Sequence, residues 1–114
     1  MASSTKKNGS SQPLKATIGK VQTVTANTTV GATTSLVVAS SSSGAKTMTL
    51  PAAAVSAGRK ITFVKSGASG TIVIDPNASE QVDGASTFTL TAAKDTATIV
   101  CDGTAWHVVA KIIA

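Results

Sequence analysis

The chain has 114 residues, a net charge of +5 and many small side chains, with 19 Ala, 18 Thr, 14 Ser and 9 Gly. This length fits a single domain, and an apolar content of 42% is too high for a wholly disordered chain. No apolar run approaches the ~20 residues that cross a bilayer as a helix, and residues 1–20 lack the apolar core of a secretory signal. We therefore expect no membrane partner.

Charge is segregated along the chain. Residues 1–74 contain eight basic residues and no acid, whereas residues 75–114 contain five acids and two lysines. Such a layout favours an acidic partner for the first part of the chain. Nucleic acid is a poor candidate, because the basic residues are dilute and only Arg59 is an arginine. An acidic protein surface is the favoured partner, and a merely solvated basic segment is the alternative.

Residues 1–30 predict a flexible, basic N-terminal arm. The first 16 residues are rich in Ser, Lys and Gly, and Leu14 is their one large apolar residue besides Met1. Such a segment cannot bury enough surface to offset the entropy cost of ordering it. The weak β pattern after Thr17 fits either an extended arm or a first strand. The candidate partner-binding residues of the arm are its lysines, Lys6, Lys7, Lys15 and Lys20.

Residues 31–114 predict a β domain, because short segments alternate between apolar and polar residues and are separated by turn residues. Residues 51–58 start with Pro and end with Gly, which indicates a short helix or turn. Asp102-Gly103 is the strongest hairpin signal in the chain. The predicted fold class is all-β: a small antiparallel β-sandwich or barrel of about seven strands, with one short helical turn and an extended N-terminal arm.

The alternation also predicts which side chains form the core. The expected core residues are Met48, Leu50, Ile61, Phe63, Ile72, Ile74, Phe88, Leu90, Ile99, Trp106, Val108 and Ile112. Several strands carry apolar residues on their other face as well, which suggests a second buried surface such as an oligomer provides. The candidate oligomer-interface residues are Val100, Val109 and Ile113.

The only cysteine, the only histidine and the only tryptophan of the chain do not predict a catalytic or ligand-binding site. Cys101 is the only cysteine, so no intramolecular disulfide can form, and its apolar surroundings favour a buried thiol. His107 is the only histidine and is expected on the surface, without the partners of a catalytic triad. Trp106 fits the core better than a sugar-stacking platform, since sugar sites usually need several aromatic residues and this chain has three.

A calcium loop is the one metal site that the acidic residues suggest. Asp75, Asn77, Ser79 and Asp83 have a suitable spacing, but Glu80 stands where an EF-hand loop needs Gly, and Ser86 where it needs Glu. We therefore expect no metal, no cofactor and no catalytic residue. The sequence predicts a protein that is not an enzyme.

Several strand and turn segments of the later part of the chain occur in a familiar order. They are Thr49-Leu50-Pro51, residues 58–65, residues 71–77, Val82-Asp83-Gly84 and residues 102–109. This series resembles the β-modules of tailed-bacteriophage virion proteins, which occur in tail fibres, head fibres and capsid decoration proteins, commonly as trimers. The resemblance covers residues 47–110, and the matched positions are structural, so it implies no catalytic or ligand-binding residue.

The resemblance implies a virion structural protein, and the short basic arm favours a capsid decoration (cement) protein. Its expected location is the capsid surface of the virion. Its expected partners are the major capsid protein and further copies of itself in a homotrimer. The alternative is a small tail-fibre or tail-tip subunit that recognises a host glycan.

Overall fold

The computed structural model of the protein describes residues 20–113 as two β-sheets that enclose one apolar core. A 3-10 turn at Ala53–Val55 matches the short helical turn expected between residues 51 and 58. The all-β fold class is confirmed for this part of the chain. The strands in chain order are β1 (Lys20–Val24), β2 (Thr28–Thr29), β3 (Thr34–Ala39), β4 (Ala45–Thr49), β5 (Lys60–Lys65), β6 (Thr71–Asp75), β7 (Phe88–Leu90), β8 (Thr96–Cys101) and β9 (Trp106–Ile112).

The strands form one sheet of five strands and one of four. The order in the five-stranded sheet is β1-β3-β5-β8-β9, and the order in the four-stranded sheet is β2-β4-β6-β7. From β1 to β6 the chain alternates between the sheets, and each strand is parallel to the strand two places before it. These six strands therefore make three parallel coils, each with one strand in either sheet.

The predicted antiparallel arrangement is wrong for the coils and right for the last three strands. β7 is antiparallel to β6, β8 to β5 and β9 to β8. The error has a physical cause, because alternation shows which face of a strand is buried but not which strand lies beside it. A loop as short as residues 40–44 fits a hairpin, yet here it carries the chain from β3 in one sheet to β4 in the other.

Residues 20–30, which the sequence assigned to the arm, belong to the sheets. β1 pairs with β3 and β2 with β4, and Val30 is buried in the core. The β domain therefore starts at or before Lys20 rather than at residue 31. Residues 1–19, with the rest of the predicted arm, lie outside the described residues.

Most of the predicted core is confirmed. Nine of the twelve expected residues are at most 1% exposed, and Phe88 and Val108 are partly buried against them. The packing lies between the inner faces of the two sheets, where Phe63 and Trp106 are the largest buried apolar side chains. The alternation pattern therefore identified the inner faces of most strands, although it did not identify their pairing.

Ile112 is the clear error in the predicted core, since it is 72% exposed. The cause is a β-bulge: Ile99 pairs with Val108 but Thr98 pairs with Ala110, so Val109 is an extra residue in β9. A bulge of one residue reverses the alternation that follows it. Lys111 therefore pairs with the buried Ala97 on the inner face, and Ile112 lies on the outer face.

Candidate functional site

The outer face of the five-stranded sheet is formed mainly by two rows of side chains that cross all five strands. The first row is Val21, Leu36, Thr62, Thr98 and Ala110. The second row is Thr23, Val38, Val64, Thr96 and Ile112. The ten residues are six aliphatic side chains and four threonines, and none is ionisable. The residues on the three central strands are half-buried, and the exposed fraction reaches 55% at Val21 and 72% at Ile112 on the two outer strands.

The outer face of the four-stranded sheet has a different composition. Its residues are Thr29, Thr49, Asp75, Thr47, Val73, Thr89, Ala45 and Thr71. Five of these eight are threonines, one is an acid, and Val73 is the only large aliphatic side chain. This face is typical of a solvated sheet surface, whereas an uncovered sheet face rich in Val, Leu and Ile is typical of an interaction surface.

A third, shorter row closes one end of the outer face of the five-stranded sheet. It contains Lys60, Val100 and His107 on β5, β8 and β9. Charged and titratable groups thus lie at the margin of this face rather than within its two full rows. Thr62 and Thr98 hydrogen-bond to each other across β5 and β8, with 2.9 Å between their hydroxyl oxygens. Two of the four threonine hydroxyl groups in the rows therefore already have a hydrogen-bond partner.

His107 forms an exposed hydrogen bond with Asp102 at the β8–β9 turn. His107 Nε2 lies 2.7 Å from Asp102 Oδ2, and the Oδ1 atom accepts hydrogen bonds from the backbone N–H groups of Thr104 and Ala105. The hydrogen bond from His107, followed by those from Ala105 and Thr104, lowers the pKa of Asp102 to about 2. The surface position expected for His107 and the expected hairpin turn are both confirmed.

The structure describes only Lys20 among the four predicted arm lysines. Lys20 is exposed at the start of β1, whereas Lys6, Lys7 and Lys15 lie outside the described residues. The three predicted oligomer-interface residues lie at different positions on or next to β8 and β9. Val100 lies on the outer face of the five-stranded sheet, Val109 is the bulged residue of β9, and Ile113 follows the end of that strand.

Two basic side chains of the first 74 residues act within the fold. The Arg59 guanidinium donates hydrogen bonds to the backbone carbonyls of Gly31 and Thr34, in the connection that leads from β2 to β3. Partial burial lowers the pKa of Arg59, but a guanidinium stays charged at neutral pH. Lys65 is fully buried, and its ammonium group donates to the carbonyl of Gly67. Part of the excess of basic residues in the first 74 residues therefore serves to hold the fold together.

Cys101 and Trp106 are core residues, as expected. Cys101 is 1% exposed and has a free thiol. Trp106 is fully buried, and its indole Nε1 atom has no hydrogen-bond partner. A buried ring offers no stacking surface, so the interpretation of Trp106 as a sugar platform is wrong.

A small open pocket of about 260 Å³ lies along the outer edge of β9, next to the segment 81–83 that hydrogen-bonds to Trp106. It is lined by Asp83, Val108, Val109, Ala110 and Lys111. Asp83 Oδ1 accepts a hydrogen bond from the backbone N–H of Val108, so this N–H group at the edge of β9 already has a partner. Lys111 Nζ lies 6.0 Å from the ring centre of Phe88. The two charged side chains of the lining, Asp83 and Lys111, are both exposed.

Within residues 20–113, no group of three or more His, Cys, Asp and Glu side chains is arranged to hold a metal ion. The same part of the chain contains no helix long and apolar enough to span a membrane. A comparison with known protein families found no family that matches the chain, and a comparison with curated proteins found no relative. Its two uncharged, largely aliphatic rows make the outer face of the five-stranded sheet the strongest candidate site.

The individual residues of this face could not be identified from the sequence, although several strands showed apolar side chains on both faces. The rows exist only because β1, β3 and β5 are parallel and lie beside the β8–β9 hairpin. The signal that could have found them is the continuous apolar run in β3, which is typical of a central strand in a parallel sheet.

Proposed function

We propose that the protein is a non-enzymatic structural protein of a tailed-bacteriophage virion and acts as a capsid decoration (cement) protein. It binds the major capsid protein on the outer surface of the head and assembles as a homotrimer. The observation that carries the proposal is the order of segments over residues 47–110 that resembles phage virion β-modules. In the fold these segments form a continuous series of strands and turns from β4 to β9.

Attachment depends on the basic residues at and before the start of β1. β1 and β5 both run parallel to β3, so Lys20 and Lys60 begin their strands at the same end of the five-stranded sheet. Both side chains are exposed. The chain before Lys20 thus joins the domain at the end of the sheet where Lys60 lies.

The energetics favour many weak contacts rather than one strong contact. An exposed ion pair contributes only ~0.2–1 kcal/mol, and salt screens it. An extended segment can add backbone hydrogen bonds by pairing with an exposed sheet edge. Because the protein binds assembled capsid and not dissociated subunits, it stabilises the assembled form by mass action.

A truncation tests the attachment step. Deleting residues 1–19 leaves Lys20, β1 and the core intact, so we expect a large loss of occupancy on purified particles with an unchanged melting temperature. A full-length variant with Lys6, Lys7, Lys15 and Lys20 changed to Gln retains the backbone contacts and should lose less. That smaller loss should shrink further at high salt. Normal occupancy of the truncated protein would show that the arm is not the anchor.

The copy number on purified particles tests the assignment to the head. A decoration protein is expected in numbers comparable with the major capsid protein, as quantitative mass spectrometry of particles can show. Far fewer copies would place the protein in the tail, as a fibre or tail-tip subunit. Absence from particles would overturn the virion assignment altogether.

A further inference from the structure

We propose that copies of this chain bind one another through the outer face of the five-stranded sheet, centred on Leu36, Val38 and Val64. The inference rests on one part of the proposed function, the assembly of copies of the chain with one another, and names the surface that they use. It does not depend on attachment to the capsid. The occupant of the face is another copy of the chain, and in the homotrimer the three faces meet around the three-fold axis.

The composition of the face determines which partner it can accept. Its two full rows offer aliphatic side chains and threonine hydroxyls and no charge, and two of the hydroxyls, on Thr62 and Thr98, already hydrogen-bond to each other. A charged partner surface would lose its hydration against Val38 and Val64 without gaining an ion pair, which is unfavourable. A second uncharged aliphatic surface has no such cost and gains from apolar burial.

The distribution of charge over the surface favours this face over the others for contact between copies. At a net charge of +5, copies of this protein repel one another wherever their lysines meet. Lys60, on the outer side of β5, lies in the marginal third row and outside the two full rows. The outer face of the four-stranded sheet carries Asp75 and a majority of threonines, so it lacks the aliphatic area for a dry interface.

The size of the face allows a modest contact. Five strands spaced by ~4.8 Å give a width of about 24 Å, and the two full rows of side chains give a length of about 14 Å. Each face then covers roughly 340 Å², and three faces that meet around the axis bury roughly 1,000 Å² in total, which is at the small end for a specific protein–protein interface. The exposed Val21 and Ile112 at the two edges extend the contact, since they stand clear of their neighbours.

The bulge in β9 contributes directly to this surface. Without the extra residue Val109, the alternation would direct Ile112 into the core and Lys111 onto the outer face. The bulge removes a lysine from the row that contains Val64 and Thr96 and replaces it with an isoleucine. An uncharged row that crosses all five strands therefore depends on this one irregularity.

A matched pair of variants tests the proposal. Val64 and Val73 are half-buried valines on adjacent strands of the chain, β5 and β6, and they lie on the outer faces of the two different sheets. In Val64→Glu a buried unpaired charge would enter the interface, and the dissociation constant of the oligomer should rise roughly 100-fold or more. Val73→Glu places the same charge on the other face and should leave the constant unchanged.

Sedimentation analysis of the purified full-length protein, without capsid, gives the readout. Far-ultraviolet circular dichroism and melting curves should show that both variants remain folded. Ile112→Glu provides a second test if Val64→Glu fails to fold, because Ile112 is 72% exposed in the isolated domain and can accept a charge there. We expect Ile112→Glu to weaken the oligomer as well.

Two results would overturn the proposal. The first is a wild-type protein that stays monomeric at tens of micromolar. The second is an oligomer that survives Val64→Glu and Ile112→Glu or dissociates equally in Val73→Glu. A monomeric protein whose binding to particles is lost in Val64→Glu would assign the face to a particle component instead. A stable oligomer that is absent from virions would leave this inference intact and overturn the proposed function.

Discussion

The three parallel coils of β1–β6 and the antiparallel strands β7–β9 build one core by different means. In the coils, strands that are distant in the sequence lie side by side, as Leu36 does with Thr62. In the β8–β9 hairpin, pairing is local, and Cys101 faces Trp106 across a turn. The coils therefore depend on the loops that carry the chain between the sheets, whereas the hairpin depends on its own turn and on one large buried residue.

The two regions also fill the core differently. The coils contribute medium or small side chains such as Val37, Ala39 and Met48, together with Phe63, and the hairpin contributes Trp106, the largest buried side chain in the described chain. Substitutions in the hairpin should therefore lower the stability of the fold mainly by leaving cavities. Substitutions in the coils should lower it mainly by disturbing the loops.

Trp106→Ala should cause the largest loss of stability. Truncating a buried tryptophan typically costs about 3–5 kcal/mol, because it leaves a cavity that the surroundings only partly fill. Chemical denaturation measures the loss. Trp106→Phe is the matched control: Nε1 has no hydrogen-bond partner, so this change sacrifices volume alone and should cost less. A melting temperature equal to that of the wild type in Trp106→Ala would contradict the central position of this ring.

Gly70→Ala tests the loop that enters the last strand of the coils. Gly70 has a φ of +68°, and an added Cβ would lie 2.6 Å from the carbonyl oxygen of Gly44. Gly84, in the turn before β7, has a φ of +78° with open space around it. The left-handed conformation costs a side chain ~1–2 kcal/mol at either site, and crowding should add ~1–3 kcal/mol at Gly70 alone.

Thermal unfolding of the two glycine variants compares them directly. The lower melting temperature should belong to Gly70→Ala. Equal losses would show that the contact between the loops at residues 40–44 and 66–70 can relax without cost, and that the coils are less dependent on their crossings than the structure implies.

Arg59→Leu should loosen the first coil. The guanidinium donates to the carbonyls of Gly31 and Thr34, and loss of a charged hydrogen-bond donor to partly buried groups typically costs ~1–3 kcal/mol. Lys60→Leu is the control, since its side chain is exposed and the change should fall within about 0.5 kcal/mol. Hydrogen exchange should accelerate in β1 and β3 only in Arg59→Leu. Uniform acceleration throughout the domain would contradict a local role.

The hydrogen bond between His107 and Asp102 at the hairpin turn should have the smallest effect. The pKa of Asp102 is lowered to about 2 in the fold, against about 3.9 for an unperturbed Asp. A lowered pKa stabilises the fold above the unfolded value, and this contribution disappears as the pH falls from about 4 to about 2. The melting temperature of the wild type should therefore exceed that of Asp102→Asn at pH 6, and the two should converge toward pH 2. A difference that grows on acidification would refute the assignment.

The sequence by itself determined the all-β class, the hairpin at Asp102-Gly103 and most of the inner faces, because alternation and turn chemistry are local properties. The buried Trp106 and Cys101 and the exposed His107 followed from the same alternation. The position of Ile112 did not, because a bulge is set by how β9 fits against β8 and leaves no mark in the pattern of residues.

Only the tertiary structure decided how the strands pair and which outer surface is uncharged. The alternating residues of β3, β4 and β5 fit an antiparallel meander as well as parallel coils, since both bury the same side chains. The two aliphatic rows form only when β1, β3 and β5 lie side by side with β8 and β9 in one register. A row across a sheet joins residues that are far apart in the chain, and local sequence patterns carry no information about which of them will meet.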